Sequence, residues 1–184
     1  TRLGDFASQA AVACLLVALL LLSRQWRAAL FAGSALLFTA LSNGALKHLL
    51  ARTRPEVLLD PLHSYSLPSG HSSAAFAFCL VLALLAGRGQ PPRMRLAWLL
   101  LGSLPALAIA GSRIYLGVHW PSDILAGAVL AASFCALSLT LVEWRTPLPA
   151  LPARLWWLLL PACLGLLGGI ATWQWSAELL RYAY

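Results

Sequence analysis

The chain has 184 residues, 60% of them hydrophobic and 10% charged, with a mean hydropathy of +0.78. Soluble domains average roughly 45–50% apolar and about 25% charged residues, so this sequence has too little charge to cover a water-facing surface, and soluble, disordered and disulfide-framework classes are poor fits. The net charge of +7 would suggest nucleic acid in a soluble protein; in a greasy chain it reads first as membrane topology, and no nucleic-acid partner is expected.

Cutting the sequence at charged residues and histidines leaves six apolar spans, 6–23, 28–46, 72–87, 96–112, 124–142 and 155–177. A spanning helix needs about 20 apolar residues, in a range of roughly 17–25. The expectation is therefore an all-α integral membrane protein, a bundle of six transmembrane helices. The short third span is expected to begin near Ser69 and to reach Gly87. The first is long for the core of a signal peptide, and no A-x-A site follows it. The connections 23–27, 88–95 and 143–154 are short and rich in Arg. Arg2, Lys47, Arg52, Arg54, Arg113 and Arg181 fall on the opposite face, so the count is seven cations against six. With Lys47, Arg54 and Arg113 set aside as site residues, as argued below, it becomes seven against three, which puts the short connections in the cytoplasm. Both termini and all four histidines, His48, His63, His71 and His119, then lie on the other side.

The tryptophans fit these boundaries. Trp26, Trp98, Trp144, Trp156 and Trp157 sit near one end of the spans and Trp120, Trp173 and Trp175 near the other, an aromatic belt with no catalytic role. Cys14, Cys79, Cys135 and Cys163 lie in apolar stretches without a CxxC pair and read as buried, inert thiols that identify no redox compartment. Gly165 and Gly169 form a GxxxG in the last span, expected to pack against a neighbouring helix, with a homodimer face as the alternative. The chain reads as a single domain over 1–184. It begins at Thr1 rather than Met, which suggests the C-terminal part of a longer chain, with a fused N-terminal domain as one option. The one extended connection, 51–70, is long enough to expect a functional reason for it.

Three polar clusters interrupt the apolar background. The first runs from Lys47 to Arg54-Pro55. Lys47 and Arg54 are seven apart, so they point the same way if the helix continues to the proline, and two converging cations call for an anion between them. Snorkelling to lipid head groups is the competing explanation. The second is Pro68-Ser69-Gly70-His71. Here Ser69 can cap the following helix, Gly70 allows close approach to the backbone, and free N–H groups suit an anion; a polar first turn in water would look the same. The third runs from Ser112-Arg113 to His119 and Asp123. Asp123 follows His119 by four residues, so its carboxylate can reach one imidazole nitrogen and leave the other as nucleophile or base. An N-terminal Asp stabilised by the helix dipole beside an idle His is the alternative. All three clusters fall on one face, and together they supply the parts for phosphoryl transfer through a covalent intermediate. No Walker loop, HExxH or carboxylate cluster suggests a metal, and no cofactor is expected.

At these residues the chain resembles the type-2 phosphatidic acid phosphatase superfamily, whose pattern is K-x6-R-P, P-S-G-H and S-R-x5-H-x3-D. Every fixed position is present in order between residues 47 and 123. The resemblance implies a metal-independent lipid phosphatase in which His119 attacks phosphorus and carries a phosphohistidine. Asp123 would orient His119, and His71 would protonate the leaving group. Lys47, Arg54 and Arg113 would hold the phosphate oxygens, joined by Ser69 and the Gly70 N–H. His48 and His63 lie outside the pattern and are left as interfacial residues or modifiers of substrate access. Many membrane members have one more helix before the first motif, which again fits a chain that begins within a longer one.

The expected substrate is a lipid phosphate or diphosphate whose tail stays in the bilayer, such as undecaprenyl diphosphate, phosphatidylglycerol phosphate, phosphatidic acid or a lipid A phosphate. The expected location is the bacterial inner (cytoplasmic) membrane, with the site facing the periplasm. A lipid phosphotransferase and a non-enzymatic lipid-binding or transport module are the alternative functions; the intact His71, His119 and Asp123 argue against the second.

Overall fold

The structure is a computed structural model describing the backbone of residues 6–55 and 64–182, with side chains from 7 to 173 within those bounds. Among the described residues it is all-helical: α1 Phe6–Leu22, α2 Trp26–Leu50, α3 Gly70–Ala86, α4 Pro92–Tyr115, α5 Pro121–Val142 and α6 Ala153–Tyr182. Every expected span is a helix. α2, α4, α5 and α6 are long and apolar enough to cross a membrane, whereas the apolar stretches Ala7–Leu22 and Gly70–Ala86 are shorter.

α3 is the central helix, packed against α4, α5, α2 and α1, while α6 lies at the periphery beside α1. Its residues are small where neighbours approach: Ala75, Ala77, Ala106, Ala110 and Ala131 are buried together at the α3–α4–α5 contact. A Cβ on Gly127 of α5 would lie 3.0 Å from the Ser69 carbonyl oxygen and 3.1 Å from the Ser73 nitrogen, and one on Gly102 of α4 would lie 2.9 Å from the Ala83 Cβ. Small residues bring helix backbones together where lipid provides no hydrophobic drive to do so. A second, larger-residue core joins α1, α2 and α6 through Leu16, Leu20, Phe31 and Leu159.

The short connections are fastened to one another. Arg27 donates to the carbonyls of Val142 (2.7 Å) and Pro147 (3.1 Å), and Arg88 pairs with Glu143, which also accepts the Leu148 N–H at 2.8 Å. Some of the cations expected to report topology therefore also close this end of the bundle.

Two expectations are corrected. Gly165 and Gly169 have no neighbour within 4 Å of a built Cβ, so this GxxxG packs against no other described helix of the chain. Of the four cysteines, Cys135 and Cys163 are buried, Cys79 is intermediate and Cys14 is exposed, on a face of α1 that no other described residue covers. His63 lies outside the described residues.

Candidate active site

α2 does not run on to the proline. It ends at Leu50, and Ala51 adopts a left-handed conformation (φ 44°, ψ 34°) while its N–H still closes the last turn on the Lys47 carbonyl. The two-turn argument for Lys47 and Arg54 therefore fails. The residues converge by another route, because the chain turns at Ala51 and runs back as an irregular strap across the helix ends. The Ser66 N–H donates to the Arg52 carbonyl at 2.8 Å, closing that strap on the segment before α3.

The strap carries Arg54 to His119. Its Nη1 lies 3.2 Å from His119 Nε2 and donates to the Val118 carbonyl at 2.8 Å. Its Nε and Nη2 donate to the Ser64 carbonyl and hydroxyl, each at 2.8 Å. A guanidinium has only donors, so the ring nitrogen facing it is the unprotonated one, and the ring proton sits on Nδ1. That proton points towards Asp123 Oδ2 at 3.4 Å, a long contact for a hydrogen bond. His119 is held by the connection between α4 and α5. There Gly117 takes the positive φ of 66° that an L side chain resists, and the Val118 N–H closes on the Arg113 carbonyl at 3.2 Å. Pro121 then opens α5 in a first-turn position where its missing N–H costs nothing.

Asp123, in the first turn of α5, is wholly buried, and His119 is 5% exposed. Oδ2 accepts the Trp120 N–H at 2.9 Å and the Ser66 hydroxyl, while Oδ1 takes Arg52 Nη1 at 2.9 Å. Burial and the neighbouring Arg54 charge push the His119 imidazole down to about 4, so the ring is neutral at physiological pH.

The remaining motif residues surround the same point. His71, in the first turn of α3, is half-buried. Burial first, then the Arg113, His119 and Lys47 charges, push it down to about 4, so this ring too is neutral at physiological pH until a phosphate brings negative charge beside it. Lys47 donates to the Tyr65 carbonyl at 2.8 Å. Arg113, at the end of α4, is 9% exposed. Gly70 presents its bare Cα towards Asn43 and Lys47 of α2: a built Cβ would be 3.4 Å from Asn43 Oδ1 and 3.8 Å from Lys47 Cε. Ser69 caps α3 as expected, its Oγ accepting from the Ser72 N–H at 3.4 Å and the Ser72 hydroxyl at 3.0 Å. Its own N–H donates to the Asp123 carbonyl at 3.0 Å, tying α3 to α5. Ser69 is fully buried, which makes it the most recessed of the expected phosphate contacts. His48 stays at the edge, its ring edge-on to Tyr65 with centroids 6.0 Å apart.

Sequence reasoning missed Arg52, Ser66 and the second role of Trp120. Arg52 was counted with the topology-setting cations, yet it is salt-bridged to Asp123 and lies 5.5 Å over the Trp120 ring. The nearest signal is the alternation Arg52-Thr53-Arg54, which in an extended segment turns both guanidinium groups to one face, here towards Asp123 and His119. For Ser66 the sequence held no signal beyond a cluster of hydroxyls before Pro68.

The fold and the site together define a helical membrane protein with a buried His–Asp pair set among converging cations. The family model of the PAP2 superfamily, the type-2 phosphatidic acid phosphatases, matches residues 28–147, and the chain belongs to that superfamily. It is 32% identical to a lipid A 1-phosphatase of Rhizobium johnstonii, over 58% of this chain and 46% of that protein. It is 31% identical to an undecaprenyl-diphosphatase of Sulfolobus acidocaldarius, over 50% and 44%, and 34% identical to phosphatidylglycerophosphatase B of Bacillus subtilis, over 47% and 44%. The matches thus span a little under half the length of these relatives. Among solved structures it is similar to a transmembrane PAP2-type phosphatidylglycerolphosphate phosphatase from Bacillus subtilis, with TM-score 0.66, 25% identity and coverage of 79% of this chain and 74% of that one. It is also similar to LpxE of Aquifex aeolicus, with TM-score 0.52, 28% identity and coverage of 72% and 83%.

Proposed function

We propose that the chain is a lipid phosphatase that removes the terminal phosphate of a lipid phosphate or diphosphate through a phosphohistidine on His119. The observation that carries this reading is the pairing of an unprotonated His119 Nε2 with the Arg54 guanidinium at 3.2 Å. A phosphoryl group drawn to Arg54 takes over its Nη1 donor and so frees the Nε2 electron pair directly in front of phosphorus. Nε2 attacks phosphorus, the bond to the leaving oxygen breaks, and His71 gives that oxygen its proton. A water then attacks the phosphohistidine, surrendering its proton to His71, and inorganic phosphate leaves with His119 restored. Lys47, Arg54 and Arg113 neutralise the phosphate oxygens with the Gly70 N–H, a task otherwise given to a metal.

The substrate is read as a lipid because the site residues lie at the ends of membrane-length helices, with exposed Ile114 and Tyr115 following directly on Arg113. The relatives are named for lipid A, undecaprenyl diphosphate and phosphatidylglycerophosphate, and these lipids form the first panel to try. The site is placed on the periplasmic side of a bacterial inner membrane, because the opposite rim carries the short Arg-rich connections.

The test is phosphate release from that panel by purified protein in EDTA. Activity should persist in the chelator, fall at least about a thousandfold in His119→Ala, and fall about a hundredfold or more in His71→Ala. Full activity in His119→Ala removes the covalent mechanism, and loss in EDTA removes the metal-free one. Labelled phosphate that appears on a second lipid rather than in water identifies a phosphotransferase.

A further inference from the structure

Among the described residues the Asp123 carboxylate has four hydrogen-bonding neighbours, and His119 is the most distant of those with a stated distance. Arg52 takes Oδ1 at 2.9 Å; the Trp120 N–H at 2.9 Å and the Ser66 hydroxyl take Oδ2; His119 Nδ1 stands at 3.4 Å. A fully buried carboxylate must find a counter-charge, and here a cation other than histidine supplies it. Arg52 is itself held on several sides. It donates to Ser122 Oγ at 2.7 Å and lies 5.5 Å over the Trp120 ring. Its carbonyl accepts the Ser66 N–H, and the neighbouring Thr53 carbonyl accepts Trp120 Nε1 at 3.3 Å. Ser66 Oγ lies 3.5 Å from His119 Nδ1, so the one hydroxyl touches both partners of the pair.

We propose that Arg52 and Ser66 are positioning residues: they claim the Asp123 carboxylate by charge and hydrogen bond, so that it orients the His119 ring without forming an ion pair with it. An ion pair would protonate Nε2 and remove the nucleophile. With Arg52 in place the carboxylate keeps its orienting role while its charge is met elsewhere. The other groups facing His119 are Arg54 from the strap, Lys47 from α2 and His71 from α3. The two cations also disfavour an imidazolium, so that among the described residues Asp123 is the group drawing a second proton to the ring. The inference rests on the reading of His119 as nucleophile.

The test follows the His119 ring directly, by NMR of histidine-labelled protein in detergent, with the signal assigned by its loss in His119→Ala. Phosphate release is measured in parallel. In Arg52→Met the midpoint of the ring titration should rise by about one pH unit or more, because the pull of Asp123 on His119, already present in the wild type, is then no longer offset by the Arg52 charge. The acid limb of kcat/KM should move with it. Ser66→Ala should shift both in the same direction by less, and it keeps the question open to test if Arg52→Met does not fold. Arg52→Lys, which keeps the charge, should fall between wild type and Arg52→Met. An unmoved midpoint in both Arg52→Met and Ser66→Ala overturns the proposal even if turnover falls, since lost turnover alone is what a structural role would give. Full phosphate release from His119→Ala, by contrast, removes the underlying reading of the site.

Discussion

His119 is a buried imidazole whose two nitrogens face opposite kinds of partner, a guanidinium on Nε2 and a carboxylate on Nδ1. Burial and the Arg54 charge favour the neutral ring and hold its proton affinity down to about 4. The sign follows directly: the nucleophile is available above that value and is lost as pH falls through it. With wild-type enzyme, kcat/KM should therefore show an acid limb near pH 4. Because His71 is lowered to about 4 as well, activity at neutral pH requires the proton given to the leaving group to arrive with the phosphate monoanion. Both are read from phosphate release over a pH series at constant ionic strength. A limb near 6.5, the ordinary value for His, would mean that His119 is not protected from protonation. The motif residues were legible in the sequence because their chemistry is so unlike the surrounding apolar chain. Arg52 and Ser66 were not, because their partners are set by how an irregular strap folds back, and no periodicity describes such a path.

At the level of elements, the six helices were legible because lipid imposes length and apolarity on each. The end of α2 was not: the sequence carries no Gly or Asn at residue 51 to announce the left-handed turn that Ala51 makes. Packing was legible only in part. GxxxG drew attention to α6, whereas the closest approaches occur at the isolated Gly102 and Gly127, whose partners Ala83, Ser69 and Ser73 are far away in sequence. Gly127→Ala places a methyl against backbone atoms of α3 that cannot swing aside, and should destabilise the bundle by about 1–3 kcal/mol. It should also lower turnover, because the same contact sets the α3–α5 distance and hence the approach of His71 to His119. Gly165→Ala and Gly169→Ala meet open space and should leave the thermal midpoint of the monomer in detergent unchanged. Equal loss of stability in all three variants would contradict the packing described here.

Across the whole molecule, the two rims of the bundle use their cations differently. On one rim Arg27 and Arg88 bind carbonyls and a carboxylate of the connecting segments; on the other, Lys47, Arg52, Arg54 and Arg113 gather around one buried His–Asp pair. Arg52 therefore joins the site residues and leaves the topology count, which sharpens the charge asymmetry in favour of the proposed orientation. In a background with the native cysteines replaced, Thr53→Cys lies exposed on the strap and should react with an impermeant thiol reagent added to intact cells. Labelling only after lysis would reverse the orientation.

Lys47 and Arg54 already donate to the carbonyls of Tyr65, Ser64 and Val118. Those carbonyls compete for the same donors as an incoming phosphate. On the proposed reaction, a lipid arriving with its acyl chains anchored in the bilayer has binding energy in reserve to win that competition, whereas the inorganic phosphate left after hydrolysis has none. When phosphate departs, the cations have carbonyl partners waiting and need not be rehydrated. On that reading, the carbonyls that hold Lys47 and Arg54 favour turnover over product inhibition.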